Sequence, residues 1–480
     1  MSARVFIVAG QRTAFGAFGG ALKGQSATAL CVAATKAAIA QAKISPELID
    51  TVVVGSVQQT SPDAAYMARH VALKSGMKET TSALNINRLC GSGFQSCVNV
   101  AQEIKLGEAA IGVAAGAESM SQAPMSVYGH EVRWGTKLGS PTEMKDTLWA
   151  GLTDSHAGIP MGVTAENLAA DYSITRGESD AYALESQARW AKAKAAGKFD
   201  DEIAPIELKS RKGPITFDTC ATPLLQTHAR LPASKPTLVC PPPNPCSSAR
   251  LQTHARLPAS KSMLVCPPPH PRSSARPTSK PMLVCPPCLT RAYVIVPRDG
   301  SDEHPKPTTT PAQMAKLPTT FKKDGVVTPA SASGICDGAG ALILASEAAV
   351  KQHGLEPLCE LVGWASVGVD PTRMGIGPVP AIRAALDRAG MSMVDIDRVE
   401  INEAFAPQIM ACAKELGLDM AKTNINGGAI ALGHPLGASG SRITMHLAHA
   451  IKRGEVKAAI GSACIGGGQG IALVLKEAEM

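Results

Sequence analysis

The chain has 480 residues, 45% of them hydrophobic and 18% charged, which suits a soluble globular protein with room for two or three domains. No apolar run reaches the length of a membrane-spanning helix. The formal charge of +7 does not point to nucleic acid, because residues 219–298 hold ten Lys and Arg and no Asp or Glu, leaving 37 basic against 40 acidic residues elsewhere. Six of the thirteen cysteines also lie in that segment, and the other seven are scattered singly, as in a reduced intracellular enzyme rather than a disulfide scaffold. The start, "MSARVFIVAG", lacks the pattern of a cleavable secretory signal, and the end, "LKEAEM", is not a peroxisomal address.

In chain order, "VFIVAG" and "TVVVGSV" predict short buried strands with an Ala-rich helix, "TALCVAATKAAIAQAK", between them. "SGFQSCVNVAQEIK" predicts a helix with an apolar stripe, and "GEAAIGVAAGAESMS" a further strand. Strands alternating with helices predict an α/β fold with a mostly parallel, doubly covered sheet. From residue 119 the pattern changes, and "MGVTAENLAADYSITRGESDAYALESQARWAKAKAAG" reads as a helical excursion with a Thr-Ala-Glu-Asn start and a glycine stop.

Residues 225–250 and 251–276 are a tandem repeat, identical at 22 of 26 positions, followed by a truncated third copy from Pro277. Proline at this density blocks helices and sheet ladders, so residues 220–295 are expected to be a mostly disordered insertion. Its single Cys285-Pro-Pro-Cys288 has no partners at finger spacing, which argues against zinc.

Beyond the insertion, "GAGALILASEAAVKQHG" predicts strand then helix, "AIRAALDRAGMSMVDIDRVEINEAFAP" helix, strand and polar turn, and "GASGSRITMHLAHAIKRGEVKAAIGSACIGGGQGIALVL" a helix and two strands. The two halves echo each other at an offset of 347, which aligns Cys90-Gly-Ser-Gly with Gly437-Ala-Ser-Gly and Gly107-Glu108 with Gly454-Glu455. Two similar α/β halves with a site at their interface are therefore expected.

Four motifs carry chemistry. In "RLCGSGF", Cys90 stands ahead of a helix whose free N–H groups and dipole are expected to lower its pKa. In "GHPLGASG", His434 is framed by Gly433 and Pro435, a rigid loop suited to a base. In "CIGGGQG", Cys464 precedes three glycines whose N–H groups can form an oxyanion hole. In "NEAFAP", Asn402 follows a strand and can bind a carbonyl oxygen or a water, or simply shape the turn. Two thiols, an imidazole, an amide and a glycine nest together suit acyl transfer through a thioester.

These motifs, with "ESMSQAP", "GTKLGS", "FKKDGVVTPASASG" and "MGIGPVPA", resemble the thiolase family over residues 1–218 and 299–480. "INRLCGSGFQS" and "ESMSQAP" resemble the branch acting on 3-ketoacyl-CoA more than the acetoacetyl-CoA branch, the alternative reading. The resemblance implies two βαβαβαββ halves in a five-layer αβαβα sandwich, residues 1–118 with 336–356 and residues 357–480. A mostly helical loop domain, residues 119–335, would cover coenzyme A and contain the insertion. It further implies Cys90 as acylated nucleophile, His434 as its activating base, Cys464 as second acid/base, Asn402 as holder of an oxyanion-hole water, and the N–H groups of Cys90 and Gly466 as a second oxyanion hole. Lys306, Thr309, Ser333, Met161 and Phe405 match positions that contact coenzyme A, Lys306 standing where the family usually has Arg, which keeps the charge and loses the bidentate fork. Also implied are coenzyme A as substrate with no permanently bound cofactor, no nucleic-acid partner, a homotetramer and a mitochondrial matrix location without an evident presequence. An inactive product is the outcome expected if the insertion disrupts the loop domain, and a ketoacyl synthase is the competing enzyme class, which usually lacks the late "CIGGG" thiol.

Overall fold

A computed structural model describes residues 3–210, 213–217 and 302–479. The expected insertion and its cysteines lie outside the described residues. Nine strands form the central framework: β1 Val5–Thr13, β2 Thr51–Gly55, β3 Ser82–Ile86, β4 Ile111–Ser119, β5 Cys336–Ser346, β6 Cys359–Gly368, β7 Arg398–Ile401, β8 Ala458–Ile465 and β9 Gln469–Lys476. The main helices are α1 Ala27–Ala42, α2 Met67–Lys74, α3 Ser92–Leu106, α4 Met161–Asp171, α5 Arg176–Ala195, α6 Pro378–Ala389, α7 Ala406–Leu416 and α8 Ser439–Lys452.

One half orders its strands β3-β2-β4-β5-β1 and the other β7-β8-β9-β6. They join where Phe6 and Ile7 of β1 pair with Glu360 and Cys359 of β6. The sheets are mixed, not mostly parallel. β2 runs parallel to β3 and β4, and β7 to β8. β5 is antiparallel to both β1 and β4, and β9 to both β6 and β8. Each half inserts its last strand between two earlier ones, and in the second half the Gly466–Gly468 turn makes β8 and β9 a hairpin, which forces the antiparallel sense.

Strand alternation builds the layers. Phe6 and Val8 of β1 face a core shared with Leu30 and Ala34 of α1 and Val71 of α2. Val5 and Ile7 face a middle core with Phe94 and Val98 of α3, Ile443 and Leu447 of α8, and Leu473 and Leu475 of β9. Ala472 and Val474 of β9 face a third core with Ile382 of α6 and Ile409 of α7. The result is helices, sheet, paired helices α3 and α8, sheet, helices, the expected five-layer sandwich.

The internal repeat is physical. Asp50 accepts the N–H groups of Ala110 (2.8 Å) and Ile111 (3.1 Å), and Asp397 those of Lys457 (2.8 Å) and Ala458 (3.1 Å), each position shifted by 347. Both central helices end at a left-handed glycine, Gly107 (φ +77°) and Gly454 (φ +68°).

Between β4 and β5 the helical stretch is two helices rather than one. α4 begins at Met161 after Pro160, and the chain breaks at Ser173 (φ +50°). α5 restarts on a capping box in which Thr175 Oγ1 accepts the Glu178 N–H (3.3 Å) and Glu178 accepts the Thr175 N–H (2.7 Å). The chain on either side of residues 218–301 is tied down. Phe217 pairs with Ile206 in a hairpin, and Glu303 accepts the N–H groups of Ala17 (2.9 Å) and Ala21 (3.0 Å). Replacing residues 222–293 by a short Gly/Ser linker is therefore expected to leave the thermal midpoint within about 2 °C or raise it, since loop length carries only a logarithmic entropy cost. A fall of more than about 5 °C in a melting scan would show that the repeat supports the fold.

Candidate active site

Cys90 lies in the turn joining β3 to α3, two residues ahead of the helix. The turn holds a left-handed non-glycine residue, Leu89 (φ +46°), a conformation that costs energy and persists only where neighbours impose it. Here Asn87 Oδ1 accepts the Leu89 N–H (2.9 Å), and Ser92 Oγ accepts the Arg88 N–H (2.9 Å) while donating to Leu89 O (2.7 Å). Gly91 packs closely against β8, where a Cβ would sit 2.5 Å from the end of the Ile465 side chain.

The expected lowering of the Cys90 pKa is not what the surroundings produce. Burial pushes the thiol up to about 11, and the nearby charge of Glu118 adds to it. The N–H groups of Gly466 and of Cys90 itself act on the sulfur in the opposite direction and do not overcome burial. These are the same two N–H groups that the family resemblance assigns to an oxyanion hole, so the structure brings Cys90 and Gly466 together.

His434 sits on the loop between a short helix, Ala429–Leu432, and α8, reached through Gly433 (φ +92°). Its ring is 5% exposed. Nδ1 is 2.6 Å from Ser439 Oγ, and that hydroxyl donates to Pro435 O at 3.1 Å. With its own proton spent, Ser439 Oγ accepts from Nδ1–H, which leaves the Nε2 lone pair free to accept from Asn402 Nδ2 at 3.3 Å. Burial, then the charge of Arg442, holds His434 at about 3, so the imidazole is neutral at physiological pH. Asn402 is fully buried at the end of β7, and its Oδ1 has no partner among the described residues.

Cys464, near the end of β8, is fully buried, and its pKa is well above the usual value because of burial and then the neighbouring Cys90 and Cys412. It packs with Met374, Ala404 and Phe405, which line the cavity, and lies close enough to Cys90 to feel its charge.

The cavity, of about 480 Å³, is a common size for a small-molecule site. Cys90 and His434 both line it, together with Met161, Ser333 and Phe405. On one side Met120 and Leu436, which line it, pack with Leu148 against Cys90. The other holds Phe321 edge-on to Phe405 at 6.0 Å between ring centres. Lys306 and Thr309 are elsewhere, lining an adjoining cavity of about 300 Å³. The two cavities share His304 and Pro329. His304 has Nδ1 2.9 Å from Ala431 O, and Gly334 leaves room for its ring. Ser439 and His304 were missed from the sequence. Ser439 lies within "GHPLGASG", where a hydroxyl five residues beyond the histidine was the available signal, whereas "DEHPKP" carried none for His304.

Models of the thiolase N-terminal domain match residues 5–236 and 298–348, and of the thiolase C-terminal domain residues 355–477. The chain is 48% identical to a human protein named 3-ketoacyl-CoA thiolase, mitochondrial, over 98% of each chain. It is 37% identical to a beta-ketothiolase of Cupriavidus necator over 99% of this chain and all of that one. The crystal structure of human mitochondrial 3-ketoacyl-CoA thiolase in complex with CoA superposes with a TM-score of 0.80 at 47% identity, over 99% of this chain and 98% of that one. With both halves, the five layers and the four motif loops in place, the chain belongs to the thiolase family of acyltransferases.

Proposed function

We propose that the chain is a 3-ketoacyl-CoA thiolase, cleaving a 3-ketoacyl-CoA with CoA to acetyl-CoA and an acyl-CoA two carbons shorter. The observation that carries the mechanism is the meeting, around one apolar cavity, of the Cys90 sulfur with two N–H groups and a neutral His434 whose unprotonated Nε2 is held by the Asn402 amide. Cys90 gives its thiol proton to His434 Nε2 and attacks the keto carbon. The C2–C3 bond breaks, its electron pair passes to the acetyl-CoA enolate, and the Cys464 thiol protonates C2. The Cys464 thiolate then takes the proton of CoA-SH, whose sulfur attacks the acyl-Cys90 thioester, and Cys90 recovers its proton from His434. The unpartnered Asn402 Oδ1 supports a bound water beside His434, and the Cys90 and Gly466 N–H groups support a second oxyanion site. His434 neutral and both cysteines protonated at rest fit this sequence of transfers.

The same reading places the pantetheine arm of coenzyme A in the main cavity past Ser333, Met161 and Phe405, and the nucleotide end by Lys306 and Thr309. It divides the chain into halves 1–118 with 336–356 and 357–480, with the described residues 119–210 and 302–335 belonging to the loop domain between them. Exposed Trp134, Leu138, Met144 and Trp149 support assembly into a homo-oligomer, and the mitochondrial relatives support a mitochondrial location. Purified chain incubated with CoA and 3-ketoacyl-CoA substrates of graded length, with products identified by mass spectrometry, tests the reaction. Shortened acyl-CoA and acetyl-CoA are expected. Turnover confined to acetoacetyl-CoA would favour an acetyl-CoA acetyltransferase instead.

A further inference from the structure

Cys90 and His434 come from opposite halves of the molecule, so something must keep them in register. Glu118, at the end of β4, is fully buried. Its carboxylate accepts Val57 N–H (3.0 Å) and Gln58 N–H (3.1 Å) from the loop after β2, and Gly437 N–H (3.0 Å) from the loop between His434 and α8. The first two donors belong to the half with Cys90 and the third to the half with His434. The halves meet backbone to backbone here: a Cβ on Gly437 would lie 2.6 Å from Ala117 O and 2.7 Å from Gly55 O. Val57 packs with Cys90, Met120 and Leu436 in one apolar cluster, so the clamp touches the thiol's own surroundings.

Glu118 also acts through charge. It raises Cys90, after burial. Its own carboxyl is pushed up to about 7 by burial, with the three N–H groups opposing and the charge of Asp337 adding. The titratable groups that face it are Cys90, Cys336 and Asp337.

We propose that Glu118 is a positioning residue: it holds the Gly437 loop, and His434 with it, against the Cys90 turn across the junction of the halves, with its carboxylate close enough to the Cys90 sulfur for its charge to be felt there. This rests on the acyl-transfer reading above. Glu118→Gln keeps the shape, but only one oxygen can accept, and its NH2 group meets an N–H donor. In the full chain, kcat is expected to fall at least about tenfold with KM for CoA within about twofold. The pH midpoint for alkylation of Cys90 by iodoacetamide, read by peptide mass against a Cys90→Ser control, is expected to move down by about one unit. A merely structural carboxylate would not move that midpoint. Glu118→Asp keeps the charge and shortens the reach, so kcat falls and the midpoint stays. A glutamine variant with kcat within twofold of the parent, or with an unmoved or raised midpoint, overturns the proposal. If the glutamine chain does not fold, the aspartate chain decides: undiminished turnover overturns the proposal and a tenfold loss at unchanged KM supports it. Failure of the parent chain to cleave any 3-ketoacyl-CoA would defeat the assigned reaction, while the alkylation midpoint would still report on Glu118.

Discussion

Cys90→Ser is expected to lower thiolytic turnover by at least about a thousandfold while leaving the thermal midpoint within about 2 °C. The substitution changes one atom at a half-buried position, so the turn, Leu89's constrained backbone and the cavity all persist. What is lost is the nucleophile. A buried thiol held near 11 can still lose its proton to a neutral imidazole when an electrophile is in place, because sulfur is polarisable and two N–H groups favour its anion. A serine hydroxyl in the same surroundings is a far weaker acid than the thiol, so the same imidazole takes its proton far less readily. Single-turnover mixing with a 3-ketoacyl-CoA should give an acylated Cys90 peptide in the parent chain and no acylated residue in the variant. Thiolysis within tenfold of the parent would remove Cys90 from the role of acyl carrier.

Arg12→Ala is expected to destabilise the fold by about 3–5 kcal/mol, or to abolish soluble expression. Arg12 is fully buried, with Nε 2.8 Å from Glu202 and a terminal nitrogen 2.8 Å from Asp302. Its guanidinium lies 5.0 Å from the centre of the Phe15 ring. Glu202 is also 2.7 Å from His446 Nδ1, and Asp302 accepts the Phe15 N–H at 2.7 Å. Removing the cation leaves two buried carboxylates facing a void. Burial alone would raise Glu202, yet His446 and Arg12 hold it at about 2. That depressed value stabilises the parent chain above the ordinary carboxylate range, and the stabilisation is lost as pH falls towards 2. In the variant the carboxylates protonate more readily, so its deficit should be largest near pH 7 and should narrow by pH 4. Urea denaturation across that range checks both the size and the trend. A deficit below about 1 kcal/mol at pH 7 would mean the cluster is not a keystone of the region joining β1 to the chain before and after residues 218–301.

Much of the fold was legible because local signals agreed with the global one. The shift of 347 appears in the glycines at 107 and 454, and the structure shows the same backbone hydrogen bonds at Asp50 and Asp397. β3 was missed because Ser82, Ala83, Leu84 and Asn85 are all exposed, so no burial pattern marks it. The break between α4 and α5 was also not read, although Thr175 and Glu178 carry a capping-box spacing inside what reads as a helical excursion. Strand direction was misjudged because alternation of strand and helix does not reveal where the last strand of each half is inserted.

The sequence by itself singled out the candidate residues. Cys90, Asn402 and His434 stand in turns or loops and Cys464 at a strand end, each beside glycines, prolines or small residues that announce tight backbone turns, and turn chemistry is local. Only the tertiary structure decided their chemical states, because those depend on burial and on groups distant in the chain. Cys90 is raised rather than lowered, because desolvation outweighs the helix end and two N–H groups. His434 is neutral with its proton on Nδ1 and its Nε2 turned to Asn402, because Ser439 and Pro435 settle its tautomer. Glu118, which no motif singled out, reaches across to Gly437 over a separation of 319 residues that only folding closes.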